Sequence, residues 1–155
     1  MMNIRIISVG SIKEKYLLDL INEYKKRLQK FVTIEEIELK DESNKLDTEL
    51  VKSLETKKII NYLNDGSYKI LLDIHGTMLT SEELAKKIDE DGTFGRSSIS
   101  FIIGGSCGVS DEIYKHIDYR LSFSKMTFPH QLMKGILLEQ VYRSYTILNN
   151  IKYHK

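Results

Sequence analysis

Residues 98–108, SISFIIGGSCG, carry an apolar strand segment straight into a glycine-rich turn. A strand of this kind, with Phe101, Ile102 and Ile103 in succession, is covered on both faces, and such strands belong to parallel sheets lined by helices on either side. Gly104, Gly105 and Gly108 let backbone approach a ligand closely and open torsions closed to other residues. The turn lacks the Gly-Lys-Ser/Thr ending of a phosphate loop and the spacing of a G-x-G-x-x-G dinucleotide fingerprint. Alone, it is equally compatible with a chain that simply needs to turn.

Working outward, residues 68–74 (YKILLDI) form a second continuous apolar run, expected at the centre of the sheet, and residues 3–9 are β-rich and bounded by Gly10-Ser11, which suggests a buried strand feeding a helix. Residues 31–39 alternate imperfectly, as suits an edge strand, and residues 119–123 supply a last strand. Helical segments separate them. Tyr16, Leu17, Leu20, Ile21, Tyr24 and Leu28 recur at three- and four-residue spacing in a helix expected to reach about Lys30. After a charged loop, residues 40–47, a helix is predicted over 48–63 and stopped by Asn64-Asp65-Gly66. Thr80-Ser81-Glu82-Glu83 places a hydroxyl three residues before a carboxylate, a reciprocal cap for a helix to about Asp89. Ser110 is expected to cap a short helix, and Pro129 to sit in the first turn of a long closing one that reaches about Asn149. The order predicts one α/β domain over 1–155, with a mostly parallel sheet and helices on both faces.

Composition narrows the chemistry. With 23 Lys and Arg against 22 Asp and Glu the formal charge is +1, so no global positive field holds nucleic acid and an RNA partner must be met by a local patch. The single cysteine, Cys107, excludes an internal disulfide framework and a cysteine-based zinc site, and it fits a reducing, cytoplasmic compartment. No metal is expected, because the histidines show no ligand spacing. The opening residues show neither a cationic leader nor a membrane-length apolar run, so neither export nor a membrane is expected.

Ligands of such sheets bind beyond the carboxyl ends of the strands. That rule selects residues 72–76, 104–108 and 123–128. Cys107 invites a nucleophile reading, set aside because no His and carboxylate pair is placed to activate it. His75 and His116 stand isolated, and Asp111-Glu112 reads as helix-end charge rather than acid/base machinery. The last helix is apolar around most of its circumference, through Leu132, Met133, Ile136, Leu137, Leu138, Val141, Tyr142, Tyr145, Ile147 and Leu148. Such a helix needs cover on more than one side, and a second copy of the chain is the expected cover.

Taken together, Ile7-Ser8-Val9-Gly10, Leu72-Asp73-Ile74 with Gly76, Phe101-Ile102-Ile103-Gly104-Gly105 with Gly108, Leu121-Ser122, Thr127-Phe128-Pro129-His130, Leu138-Glu139-Gln140-Val141-Tyr142-Arg143 and Tyr153-His154-Lys155 carry a resemblance over essentially the whole length. The chain resembles the SPOUT-class ribosomal RNA large-subunit methyltransferase H family, which acts on a pseudouridine in 23S rRNA. The resemblance implies a deep trefoil knot in the C-terminal part, which periodicity cannot reveal and which general topology rules disfavour. It implies a homodimer formed through the knotted region. It also implies S-adenosylmethionine bound in a bent shape among three loops, matched here by Leu72, by Gly104 and Gly105, and by Phe123, Ser124, Lys125, Met126, Thr127 and Phe128. Departures from the family pattern lie at His75 and Cys107, so neither is expected to carry chemistry.

The acceptor this implies is N3 of pseudouridine in the assembled ribosome. Arg143, Tyr153 and His154 are the candidates for positioning the base, with the cations and aromatic ring of the tail, residues 152–155, available to RNA. Two other classes stay open on the residues themselves. One is a flavodoxin-like domain using the strand-end loops for a flavin or nucleotide, and the other is a ribosome-binding module without catalysis.

Overall fold

The structure, a computed structural model, describes residues 1–93 and 97–155. Five strands, β1 (Met2–Val9), β2 (Val32–Leu39), β3 (Tyr68–Met78), β4 (Ser98–Ile103) and β5 (Tyr119–Ser122), alternate with helices α1 (Lys15–Leu28), α2 (Thr48–Ile60), α3 (Ser81–Thr93) and α4 (His130–Leu148), and a 3-10 helix spans Asp111–His116. All pairings are parallel and the sheet order is β2-β1-β4-β3-β5. The middle position belongs to β4, not to β3 as expected; β3 is internal, between β4 and the four-residue edge strand β5. The order also differs from the 2-1-3-4-5 order of flavodoxin-like sheets, which removes the topological basis of the flavin alternative.

Side chains alternate across the sheet and feed two cores. Ile4, Ile6, Ile70, Ile99 and Phe101 join Ile21 and Leu28 of α1, Leu84 and Ile88 of α3, and Leu137, Leu138 and Val141 of α4 on one face. Ile7, Val9, Leu71 and Ile102 meet Ile59 of α2 and Ile113 of the 3-10 helix on the other. Largely apolar β1, β3 and β4 are thus what a sheet covered on both faces requires, with the buried Arg5 of β1 paired to Glu35 and Asp65.

Local chemistry sets the helix boundaries. In α3 the Glu83 amide donates to Thr80 Oγ1 at 3.1 Å while the Thr80 amide donates to Glu83 Oε1 at 2.9 Å, the reciprocal cap read from the sequence. Asp47 caps α2 by accepting from the Glu49 and Leu50 amides, and α2 stops at Ile60, short of the expected Leu63. Two caps differ from expectation. Ser110 makes no side-chain cap; its carbonyl accepts from the Ile113 amide at 3.1 Å, and its amide donates to Thr56 Oγ1 of α2 at 2.9 Å, so backbone rather than side chain starts the 3-10 helix and a neighbouring helix holds the loop. Pro129 precedes α4, and its carbonyl accepts from the Met133 amide at 3.0 Å. In α1 the apolar stripe is narrower than expected, because Tyr16 is 71% exposed while Leu17, Ile21 and Leu28 are buried.

Helix α4 packs between α1 and α3 of its own chain, and this accounts for much of its apolar circumference. Leu132, Met133, Ile136, Ile147 and Leu148 remain only half-buried. Lys134, on the same helix, is buried with its ammonium 2.6 Å from Glu36 and 3.0 Å from Glu38 of β2. Glu36 also pairs with Lys25. Burial works to raise the Glu36 carboxyl, and the contacts from Lys134 and Lys25 more than offset it, holding the group below the usual carboxylate range. Lys134→Ala is expected to lower stability by about 2 kcal/mol or more, because two carboxylates lose a desolvated partner and the helix gains a void. Lys134→Met, which refills the volume, is expected to recover most of that loss. Urea midpoints check both, and an unaltered midpoint for Lys134→Ala would show that this buried pair contributes nothing.

Candidate active site at the strand ends

The carboxyl ends of β3, β4 and β5 open into one cavity of about 850 Å³. Its size falls within the range of small-molecule sites. Leu72 before the bulge in β3, Ile103 at the end of β4 and Leu121 near the end of β5 supply an apolar floor. Gly104, Gly105 and Gly108 present backbone from the β4 side, and Phe123, Ser124, Met126, Thr127 and Phe128 close the cavity from the β5 side. Every expected cofactor residue therefore lines it except Lys125, which is exposed and is not part of the cavity wall.

Each wall is held by specific contacts. In β3 the ladder with β5 is interrupted, since Leu121 pairs with Leu72 and again with Thr77, and the intervening residues 73–76 bulge out. Asp73 anchors that bulge: it accepts from the His75 amide at 2.9 Å and from Arg120 at 2.9 and 2.7 Å. Burial pushes the Asp73 carboxyl up, but these donors outweigh it and keep the group ionised well below its ordinary value. Gly76 is required by space, because a Cβ there would lie 2.6 Å from the Arg120 carbonyl oxygen. In the β4 loop the Gly108 amide donates to the Gly105 carbonyl at 3.0 Å, and Gly108 adopts φ +83°, a torsion that favours glycine. Gly104 and Gly105 have no such torsion. A Cβ on Gly104 would press on Val109 at 3.0 Å, and one on Gly105 would lie 2.7 Å from Glu55 Oε1. The β5 loop is pinned by the Ser122 hydroxyl, 3.2 Å from the Ile74 carbonyl and 3.0 Å from that of Ser124, and by the Met126 amide donating to Ser124 Oγ at 2.9 Å.

The candidate substrate-positioning residues form a separate cluster. Arg143 donates from Nε and Nη2 to Glu139 Oε1 at 3.0 and 2.5 Å, lies over the Tyr153 ring with 4.8 Å to its centroid, and comes within 3.1 Å of His154 Nδ1. His154 Nε2 lies 2.6 Å from Glu82 of α3, and Tyr153 OH lies 3.1 Å from both Tyr24 of α1 and Glu139. Burial, the Tyr24 hydrogen bond and the Glu139 charge all raise the Tyr153 phenol, so it stays protonated and serves as a donor, not a base. None of Arg143, Tyr153 and His154 lines the strand-end cavity. The structure brings the three together, and it does not bring them to the cavity of the same chain.

Three residues with reactive side chains line the cavity without having been expected to act there. His75 and Cys107, set aside on sequence grounds, both face the cavity, as does His130 at the start of α4. Burial lowers the His130 imidazole against the raising charges of Asp41 and Glu55, which keeps it neutral at pH 7. His130 stood in the Thr127-Phe128-Pro129-His130 motif, so its signal was present in the sequence. Among the described residues no group of three or more His, Cys, Asp or Glu is arranged to hold a metal ion, and no helix is long and apolar enough to cross a membrane.

Comparison with known proteins identifies the family of the chain. The chain is 53% identical over 159 aligned residues to ribosomal RNA large subunit methyltransferase H of Shouchella clausii, covering 99% of this chain and 100% of that protein. The protein of the same name in Clostridioides difficile is also 53% identical, with the same coverage. Among solved structures, a methylase family protein from Haemophilus influenzae superposes with a TM-score of 0.56 at 13% identity, covering 99% of this chain and 71% of that one. A Legionella pneumophila methyltransferase, solved in complex with the bound cofactor SAM, gives 0.54 at 11% identity, covering 93% and 66%. These two likenesses concern the fold alone. Residues 2–154 match the family described as "Predicted SPOUT methyltransferase", and with full-length relatives at this identity the chain belongs to the SPOUT methyltransferase family.

Proposed function

We propose that this protein is a cytoplasmic, S-adenosylmethionine-dependent methyltransferase that modifies N3 of a pseudouridine in 23S rRNA, acting as a homodimer on the assembled ribosome. The observation that carries the reading is the convergence of three strand-end loops, distant in sequence, on one cavity with an apolar floor and a glycine-backbone wall. Those residues fit an adenosyl sulfonium. Leu72, Ile103 and Leu121 suit the flat faces of an adenine, and the backbone of Gly104 and Gly105 allows close approach where a Cβ has no room. The full-length relatives, named as large-subunit ribosomal RNA methyltransferases, support that RNA as the substrate class. In this reading one domain spans the chain, and its C-terminal part is threaded as a trefoil knot.

When bound, the cofactor supplies an electrophilic methyl group, and the chain's contribution is alignment and charge. An imide nitrogen becomes nucleophilic as it loses its proton, and negative charge then grows on the flanking carbonyls. Arg143, fixed by Glu139, and the protonated Tyr153 are donors suited to that charge. Because they lie away from the cavity of their own chain, the tail of one protomer serves the cavity of its partner. Half-buried apolar residues on α4 and the exposed Ile74 and Met126 beside the cavity offer the surface for that pairing.

A chain of formal charge +1 is poorly equipped to capture naked RNA through phosphates, so recognition of a preassembled surface fits better. Incubation with labelled S-adenosylmethionine, followed by mass mapping of the RNA, is expected to place one methyl on a pseudouridine of 23S rRNA. Intact ribosomes are expected to be modified at least about tenfold faster than protein-free rRNA. A label elsewhere, or none, sinks the assignment, and equal rates sink the assembled-ribosome part of it.

A further inference from the structure

A chain of formal charge +1 must meet RNA through a local patch, and one face of this fold gathers cations. Lys26, Arg27 and Lys30 are exposed at the C-terminal end of α1, where the cap residue Gln29 keeps helical torsions. Lys26 and Lys30 therefore share one side of the helix with Arg27 beside them, an arrangement in which like charges repel. Lys15, Lys58 and Lys86 each answer a carboxylate on the surface. Among the described residues Lys26 and Lys30 have no such partner, and Arg27 has Glu23, at 3.7 Å. Complementing the helix dipole accounts for a cation in a last turn, a place Lys25 already fills while paired to Glu36.

A layer of aromatic rings beneath these cations joins α1 to the tail. Phe31 stacks on Tyr145 with 5.7 Å between centroids, Tyr142 lies 6.4 Å from Phe31 and 6.0 Å from Tyr24, and Tyr153 meets Tyr142 edge-on at 4.9 Å. Arg27 stands 5.1 Å from the Tyr24 centroid and 5.7 Å from that of Tyr142, and Lys30 stands 5.1 Å from that of Phe31. Rings orient a cation without neutralising it, so the charge stays available to an anion. Because Tyr24 also hydrogen-bonds Tyr153, the end of α1 and the tail form one surface, which the exposed Lys152 and Lys155 extend.

We propose that this surface docks ribosomal RNA, with Lys26, Arg27 and Lys30 holding backbone phosphates of the strand whose pseudouridine enters the cavity. The inference rests on the rRNA reading above and supplies the docking face that reading leaves open. Phosphates suit such a group, since contacts to them fix the orientation of a strand while the base is read elsewhere. With the tail of one protomer serving the cavity of its partner, the α1 end bound to that tail stands beside the same entrance, where the strand flanking the target must pass.

The test is binding of labelled full-length protein to large ribosomal subunits across a series of salt concentrations. The double variant Lys26→Gln, Lys30→Gln is expected to bind about tenfold more weakly near physiological salt, and its slope of log affinity against log salt is expected to be shallower by about 1 to 2. Its affinity for S-adenosylmethionine and its turnover at saturating ribosomes are expected to match wild type, because neither lysine lines the cavity. The pair Lys40→Gln, Lys57→Gln removes the same charge from exposed lysines after β2 and on α2, and is expected to bind as wild type does. Equal weakening by both pairs reports net charge rather than this face and overturns the inference, as does an unaltered slope. A Lys26, Lys30 variant that sediments as a monomer where wild type is a dimer makes the face a subunit contact, and overturns it too. Its melting temperature is expected to equal or slightly exceed that of wild type, since a repulsive pair is removed; a lower one assigns the lysines to the fold instead. Wild type that neither binds nor methylates ribosomes counts against the rRNA reading itself, and the docking face falls with it.

Discussion

Gly105→Val is expected to weaken binding of S-adenosylmethionine by about 10- to 100-fold, the equivalent of the 1–3 kcal/mol that overpacking a filled site costs. A valine Cβ at this position starts 2.7 Å from Glu55 Oε1 and 3.2 Å from Val9 Cγ1, so the branched side chain has nowhere to go while the loop keeps its shape. Glu55 cannot swing clear without giving up the Glu42 amide. Relief must come from the loop itself, and the loop is the cavity wall. Gly104→Val is expected to act in the same direction by a different route. Its Cβ falls inside the 104–108 turn, against Val109 and the Gly108 backbone, and does not simply fill the space of an adenosine. Isothermal titration checks both variants; wild-type affinity in either would show that the glycine wall does not hold the ligand.

Arg143→Ala is expected to lower kcat/KM for ribosome methylation by about 10²- to 10³-fold, the usual cost of losing one preorganised donor to developing negative charge. Affinity for S-adenosylmethionine should stay within about twofold of wild type, since Arg143 does not line the cavity. Arg143→Lys is not expected to rescue, because a single ammonium cannot reproduce both the paired contacts to Glu139 and the stacking on Tyr153. The pairing of tail and cavity across the dimer adds a sharper outcome. At limiting S-adenosylmethionine, mixed and reassociated Arg143→Ala and Gly105→Val subunits should show more activity than either variant alone, because some dimers then carry one intact cavity facing one intact tail. A mixture no more active than either variant would place cavity and tail in the same chain, and full activity of Arg143→Ala would end its role altogether.

Much of the scaffold was readable from residue order. The β-rich opening segment, the apolar runs in β3 and β4, the Thr80–Glu83 cap and the glycines after Ile103 each report a local preference, and each appears in the structure where those preferences place it. The strand-end rule likewise selected residues that do line the cavity, Leu72, Gly104 and Phe128 among them. Where expectation and structure part, a distant partner decided. Ser110 gives its amide to Thr56, and the central place in the sheet went to β4, because sheet order is set by which strands bury each other's edges rather than by how apolar each one is.

The sequence by itself determined the strands and most helix ends, the two-sided character of the sheet and the three loops that could hold a ligand, since all of these follow from periodicity and turn chemistry within a few residues. Only the tertiary structure decided that Glu55, 50 residues before Gly105 in the numbering, turns an unpaired oxygen toward that glycine. Only it decided that the tail cluster and the cavity stand apart in one chain. Contacts of this range depend on how the chain crosses between β3, β4 and β5, and no local pattern encodes a crossing.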